Sequence, residues 1–495
     1  MKFEVTRKSP VKAACDVLVV GVFEGDKRPR AQDKAFGETL DPLFAQAKRE
    51  GFEGKSSQIV EFTPGEAMAA HKVLLVGLGK RDEFNLDQLR GAISNTIKRC
   101  VALSAKRVAI ASFGTDAIDA AAAAEGVVSV CILATYKYLA HKTADAKPCP
   151  IQTVTLLPCD SAEAKAASKG VERGRIIAEA ICFARDLVNC PANVATPAYI
   201  ADQACEMAQK YGLKSRVLKP AQMKKIGLNL ILAVGQGSAQ EPRFIIVEYK
   251  APDAKKTVAI VGKGLTYDAG GLCLKPGKGM DTMKGDMAGA AAVLAAIRAA
   301  AELKAPVNIL CVVPATENLP GGEAVKPGDI VTAFSGKTVE INDTDAEGRL
   351  ILADAVAYAE KEKVDEIIDI ATLTGACEVA LGKKIAGLMA TDQGMVERLK
   401  SAGAAGGEKL WQLPLEKEYE DTLKSDIADM KNCAREAGAI TAAQFIGKHI
   451  DKTLWAHLDI AGTSWSEASP LMAAPGGTGF GVYALVNYVL GWEER

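Results

Sequence analysis

The sequence predicts an α/β fold in two domains. Three observations carry that expectation. The chain has 495 residues, more than one ordinary core uses at roughly 100 to 200 residues per domain. Short, near-continuous apolar runs recur along it, as strands covered on both faces by helices require, and helical stretches separate them. At 48% apolar and 24% charged residues, the composition is globular rather than disordered or fibrous.

In chain order, Val17 to Val22 and Val73 to Leu78 read as strands, and Leu86 to Ala102 as a helix. An alanine-rich stretch lies between Ala117 and Val128, followed by the apolar run Thr153 to Leu157. Ser161 can cap a long helix with Glu163 in its first turn; it runs to about Leu187, where Asn189, Pro191 and Pro197 stop it. The boundary falls near residue 165, giving domains 1–165 and 166–495, with 166–188 as a connecting helix. Buried-strand runs follow at Phe244 to Val247, Thr257 to Val261, Val307 to Val313, Glu366 to Ala371 and Trp455 to Ile460, with helices at Ala288 to Leu303 and Leu350 to Lys361.

Sixty basic and sixty-one acidic side chains leave a net charge of -1, without a block of five like charges. Nucleic acid and anionic membrane are therefore disfavoured as main partners. The opening residues M-K-F-E-V-T-R-K-S-P place charges where a secretory signal needs its apolar stretch, and no window holds 18 uninterrupted apolar residues, so a cytoplasmic location is expected. The twelve cysteines form no CxxC pair and read as reduced, mostly buried thiols.

Ligands in open α/β sheets bind beyond the carboxyl ends of strands, which directs attention to the residues just after each run. After Thr257 to Val261 comes a segment holding Lys263, Asp268, Lys275, Asp281, Lys284 and Asp286 among eight glycines. After a short strand, Thr338 to Ile341, comes N-D-T-D-A-E-G-R-L, in which Asp345 and Glu347 are two apart. In extended chain that spacing points both carboxylates the same way. Gly348 then permits a tight turn, and Arg349 starts the helix near Leu350. Taken singly, these residues also suit blander roles: a solvated acidic pair, a surface or phosphate-contacting Lys263, or an Asp286 that complements a helix dipole.

In combination they resemble the leucyl aminopeptidase, or cytosol aminopeptidase, family, whose signature is Asn-Thr-Asp-Ala-Glu-Gly-Arg-Leu and whose earlier loop reads Val-Gly-Lys-Gly-Leu-Thr-Phe-Asp-Ser-Gly-Gly. The likeness continues through E-N-L-P at Glu317, P-G-D-I-V at Pro327, A-T-L-T-G-A at Ala371, S-D-I-A-D-M at Ser425 and W-A-H-L-D-I-A-G at Trp455. It spans residues 185 to 480, with only short N-terminal matches such as V-L-L-V-G-L-G-K at Val73.

The resemblance implies a smaller N-terminal α/β domain and a larger α/β catalytic domain whose central sheet contains mostly parallel strands, assembled as a homohexamer. It implies a two-metal aminopeptidase that removes N-terminal leucine and other, mainly apolar, residues from peptides with a free N-terminus, through a water bridging the metals. Lys263, Asp268, Asp286, Asp345 and Glu347 become ligands of two divalent ions, with Asp268 and Glu347 bridging. Four carboxylates match the charge of two such ions, and Lys263 must then ligate as a neutral amine. Manganese or zinc is expected, with magnesium also compatible. Lys275 and Arg349 become the catalytic pair, Lys275 at the scissile carbonyl and Arg349 holding a bicarbonate ion. Thr372 and Leu373 would line the substrate site, and Met283 would contribute to the side-chain pocket or simply pack in the core.

Asp343 stands where the family usually has Asn, adding a charge beside the cluster, and Tyr267 and Ala269 replace the usual Phe and Ser. His457 reads as a structural histidine. A nucleotide-binding alternative based on S-G-K-T at Ser335 fails on spacing, since a P-loop needs glycine where Val331 stands. Neither an HExxH helix nor a GxSxG elbow is present. The remaining alternative is a DNA-binding or regulatory protein on the same scaffold, against which the missing basic stretch argues.

Overall fold

The computed structural model describes every residue except 29–32, 112–117, 145–146, 468–471, 473 and 493–495. The chain divides into two compact units, Met1–Glu179 with Glu467–Pro475, and Ala180–Ser466 with Gly476–Arg495. The division falls within one continuous helix, Ser161–Asn189. That helix is capped by Asp160 rather than Ser161: the Asp160 carboxylate accepts the Glu163 N–H at 2.8 Å, while the Glu163 carboxylate accepts the Cys159 N–H at 2.7 Å.

The first unit is built on a six-stranded sheet. Its strands are β1 (Lys2–Val5), β2 (Val17–Val22), β3 (Ile59–Phe62), β4 (Lys72–Gly77), β5 (Arg107–Ala111) and β6 (Thr153–Leu157), ordered β1-β6-β5-β2-β4-β3. All neighbours are parallel except β3 on β4. The edge strands β1 and β3 give no clear signal in the sequence because both carry a glutamate and are only partly buried. The alanine-rich stretch forms the helix Ala120–Leu133, whose cap Asp119 accepts from Ala121 and Ala122; Ala117 lies outside the described residues.

The second unit holds β7 (Lys214–Leu218), β8 (Arg243–Tyr249), β9 (Thr257–Gly262), β10 (Gly264–Asp268), β11 (Asn308–Asn318), β12 (Asp329–Thr332), β13 (Thr338–Ile341), β14 (Glu366–Ala371), β15 (Ile385–Ala390), β16 (Lys409–Gln412), β17 (Met430–Lys431) and β18 (Leu454–Asp459). Nine of them form one mixed sheet, ordered β16-β15-β18-β14-β9-β11-β8-β7, with β10 paired to β11. Its centre, β18-β14-β9-β11, is parallel throughout. Every residue of β14 and β11 is buried, which is why these strands read as largely apolar runs. β11 runs five residues past the expected Val313, and its polar end brings Glu317 and Asn318 to the rim.

The helices Ala288–Glu302 and Glu347–Lys361 pack on this sheet. The first approaches so closely that a Cβ at Gly289 would lie 2.1 Å from the Ile370 carbonyl oxygen. The oxygen is backbone and the backbone fixes the direction of a Cβ, so neither can swing aside. Gly289→Ala is expected to lower stability by about 1–3 kcal/mol, the usual cost of overpacking, whereas Gly277→Ala, with nothing within 4 Å of its Cβ position, should change it little. Urea unfolding midpoints of the two variants decide the matter: equal midpoints would show that the contact yields freely.

Candidate active site

Parallel pairing of β18, β14, β9 and β11 puts their carboxyl ends side by side. At that rim Lys263 follows β9, Asp268 ends β10, Asn318 ends β11, Thr372 follows β14 and Asp459 ends β18. Two helix amino termini meet them. Asp286 lies two residues before the helix Ala288–Glu302, and Glu347 is the first residue of the helix Glu347–Lys361.

That helix therefore starts three residues earlier than expected, and Gly348 is inside it rather than in a tight turn. The reason for glycine is space. A Cβ there would sit 2.6 Å from Lys263 Cε and 2.7 Å from its Nζ. The missing side chain lets the lysine pass over the helix and reach its first carboxylate.

Lys263 Nζ lies 2.8 Å from Asp286 Oδ2 and 2.9 Å from Glu347 Oε1, and donates to the Thr372 carbonyl at 2.9 Å. Lys275 Nζ lies 2.8 Å from Asp268 Oδ2 and 2.5 Å from Asp345 Oδ1. Asp268, Asp286 and Glu347 each offer an oxygen within 4.8 Å of the others. All seven predicted metal and catalytic positions lie in this unit; six of them form the lysine–carboxylate cluster, and Arg349 lies in the first turn of the helix that Glu347 begins. Lys263, Asp268 and Glu347 are at most 4% exposed.

The electrostatics show a shortage of positive charge. Burial raises the pKa of Glu347, and the charges of Asp268 and Asp286 add to it despite Lys263. Asp286 is raised by burial against the pull of Lys263, and Asp345 by burial against Lys275, with Asp268 adding to both. Burial works to lower both lysine pKa values, but the surrounding carboxylates outweigh it and hold each as an ammonium. Asp286 Oδ2 and Asp345 Oδ1 sit at ion-pair distance from those ammonium groups but accept no hydrogen bond of good alignment. Buried oxygens with lone pairs to spare and too few cations suit hard or borderline divalent ions, so these residues fit the metals the family resemblance implies.

Thr372 donates its hydroxyl to Asp286 Oδ1 at 2.6 Å, and Leu373 N–H donates to Asp459 Oδ1 at 3.2 Å. Met283, half-buried on a short 3-10 helix, receives the Asp286 N–H on its carbonyl at 3.3 Å. Arg349 donates from Nη1 to the Asn432 carbonyl at 2.9 Å, and its buried Nε has no partner. Asp343 Oδ1 accepts the Asp345 N–H at 2.9 Å, a bracing role that an asparagine oxygen fills equally, while its charge adds to the rise at Asp345. His457 is fully buried, with Nδ1 2.6 Å from Asp369 Oδ1, and stands apart from the carboxylate cluster.

Several supporting residues carry no signal in the sequence that gives their role. Asn318 donates to Asp268 Oδ1 at 2.9 Å and to the Thr344 carbonyl at 3.0 Å. Thr344 donates to the Gly270 carbonyl at 2.7 Å and accepts from Cys273 N–H at 2.8 Å, fastening the lysine-bearing loop to the acidic turn. Asp459 also accepts the Thr374 hydroxyl at 2.7 Å. Asn318, Thr344 and Asp459 stand inside motif blocks visible in the sequence, but their partners are 26 to 86 residues away.

Known proteins are similar to this chain in sequence and in fold. A family model described as the cytosol aminopeptidase family, catalytic domain, matches residues 182–486, and that family's N-terminal domain matches residues 19–145. A probable cytosol aminopeptidase of Roseiflexus castenholzii is 43% identical over 505 aligned residues, covering 100% of both chains. One from Geobacter sp. (strain M21) is 42% identical with 99% of both covered. Among solved structures, the bottromycin maturation enzyme BotP in complex with Mn aligns with a TM-score of 0.85 at 34% identity, covering 97% of this chain and 99% of that one. A mutant tomato leucine aminopeptidase aligns with a TM-score of 0.88 at 33% identity, covering 99% of this chain and 96% of that one. In sequence from end to end, in both domains and in fold, the chain belongs to the cytosol aminopeptidase family, metal-dependent hydrolases that remove N-terminal residues from peptides.

Proposed function

We propose that Lys263, Asp268, Asp286, Asp345 and Glu347 hold two divalent ions and that Lys275 and Arg349 carry the chemistry around them. The observation that carries this reading is the buried carboxylate cluster whose charge two lysines do not balance. The ions supply Lewis-acid chemistry: they make water ionisable near neutral pH and give a free α-amine a point of attachment. Manganese is favoured by the bound Mn of the BotP structure, with zinc and magnesium compatible with the same donors.

Lys275 is the more exposed lysine, its side chain 21% accessible against 5% for Lys263. That greater exposure favours Lys275 as the lysine that would donate to the oxygen of a scissile carbonyl as charge develops there. Such a donor contributes about 2.7–4 kcal/mol. Lys263 has the opposite surroundings, enclosed by Asp286, Glu347 and the Thr372 carbonyl, and its nitrogen becomes a ligand once it gives up its proton. Arg349 keeps Nε free and presents a planar fork suited to bicarbonate, which would accept the proton leaving water. The main chain of Leu373, with Thr372 and Met283, would line the pocket for leucine and other apolar N-terminal residues. A homohexameric assembly in the cytoplasm goes with the family; no helix among the described residues is long and apolar enough to cross a membrane. Residues 1–165 and 166–495 would be the N-terminal and catalytic domains, joined through 166–188.

Chelation is expected to abolish hydrolysis of leucyl substrates, with Mn²⁺ or Zn²⁺ restoring it; full activity in metal-free protein would contradict the reading. Acetylating the substrate's α-amine should remove turnover, and equal rates for free and acetylated peptides would indicate another peptidase class. The two lysines should fail differently. Lys275→Ala should retain two metals while kcat falls by about two to three orders of magnitude. Lys263→Ala should weaken one metal site, so that added metal recovers part of the rate. Metal content and kcat across a metal titration test both, and metal loss in Lys275→Ala with two ions kept in Lys263→Ala would reverse the assignment.

A further inference from the structure

The turn that carries Asp345 and leads into Glu347 is neither helix nor strand, so its backbone polar groups have no regular partners. One buried side chain supplies four of the bonds they need. Asn432 follows β17, is fully buried, and donates its own N–H to the Glu340 carbonyl at 3.0 Å, continuing the pairing of β17 with β13. Its Oδ1 accepts from Asn342 N–H at 3.0 Å and from Asp343 N–H at 3.2 Å. Its Nδ2 donates to the Asp343 carbonyl at 2.6 Å and to the Ala346 carbonyl at 3.3 Å. Its main-chain carbonyl receives Arg349 Nη1 at 2.9 Å.

Only an amide of this length offers two donors and an acceptor in one planar head. An aliphatic replacement would leave the Asn342 and Asp343 N–H groups and the Ala346 carbonyl without this partner, and the Asp343 carbonyl with only the Ala346 N–H at 3.4 Å. A carboxylate would keep the acceptor bonds and lose both donors. The contacts bracket the segment holding Asp345, Glu347 and Arg349, and Asn432 itself touches none of the reacting atoms.

We infer that Asn432 is a positioning residue for the metal-binding turn: its amide fixes the spacing of Asp345 and Glu347, and its carbonyl aims Arg349. This rests on the ligand assignment proposed above. Groups that orient ligands typically affect metal affinity 10- to 100-fold, and a displacement of about 1 Å costs about 10²-fold in rate.

The test uses the full chain, stripped of metal and titrated with Mn²⁺ by calorimetry, for wild type, Asn432→Ala, Asn432→Asp and Glu347→Gln. Both Asn432 variants should bind Mn²⁺ about 10- to 100-fold more weakly. At saturating Mn²⁺ their kcat should fall by about 10²-fold while KM for a leucyl anilide stays within about twofold. Asn432→Asp, nearly equal in size, decides the question should the alanine variant fail to fold. Wild-type Mn²⁺ affinity and kcat in a folded variant, with only a lower unfolding temperature, would reduce Asn432 to a structural role and overturn the inference. If Glu347→Gln instead bound Mn²⁺ as wild type does, the ligand assignment would fall, and the inference with it.

Discussion

Three buried carboxylates and a fourth beside them cannot be gathered without positive charge among them, and the catalytic unit is arranged around that requirement. Two unit charges 4.8 Å apart repel by about 3 kcal/mol at an effective dielectric near 20, and Asp268, Asp286 and Glu347 make three such pairs at up to that separation. The helix amino termini beside Asp286 and Glu347 help, but a helix end contributes only about 0.3–1 kcal/mol, rising to about 2 in a partly buried site. The larger compensation comes from Lys263 and Lys275, which are held as ammonium groups in return. Even so, Glu347, Asp286 and Asp345 remain pushed toward their neutral forms. The missing ingredient is cationic charge, delivered where oxygen lone pairs are unused.

The fold answers the geometric half of the same requirement. Four parallel strands present their ends on one rim, and glycines allow the close approaches that bring the charges together. Gly289 admits a helix onto β14, and Gly348 admits the Lys263 side chain across the first turn of the next helix. Around the charged groups lies a layer of neutral hydrogen-bonding residues, Asn318, Thr344, Thr372 and Asn432, together with the Asp459 carboxylate, that fixes loops with little regular structure. A rigid frame of this kind is what a multi-ligand site needs, since ligand atoms must stay in place when ions and substrate come and go.

The α/β alternation, the buried central strands and the two charged loops are legible in the sequence because each leaves a local signal. Apolar runs mark β9 and β14 since both are covered on each side, and the acidic turn stands out by its spacing. Half-exposed strands such as β1 and β3 carry no comparable pattern. Local signals also place the start of the helix at Leu350 and make Gly348 a turn residue. The demand on that position comes from Lys263, 85 positions earlier in the chain, and only the folded structure brings the two together. Asn432 is a more extreme instance, because its whole role is carried by partners 83 to 90 residues away.

The proposed chemistry depends on cations occupying the space among four carboxylates with Lys263, and not Lys275, as the nitrogen that faces them. Anomalous X-ray diffraction from crystals soaked in Mn²⁺ measures this directly. Two anomalous peaks among Asp268, Asp286, Asp345 and Glu347, with Lys263 Nζ within bonding distance of one and Lys275 Nζ bonded to neither, is the result predicted. Manganese bound elsewhere in the molecule with no peak among these carboxylates, or a peak bonded to Lys275 Nζ, would contradict it.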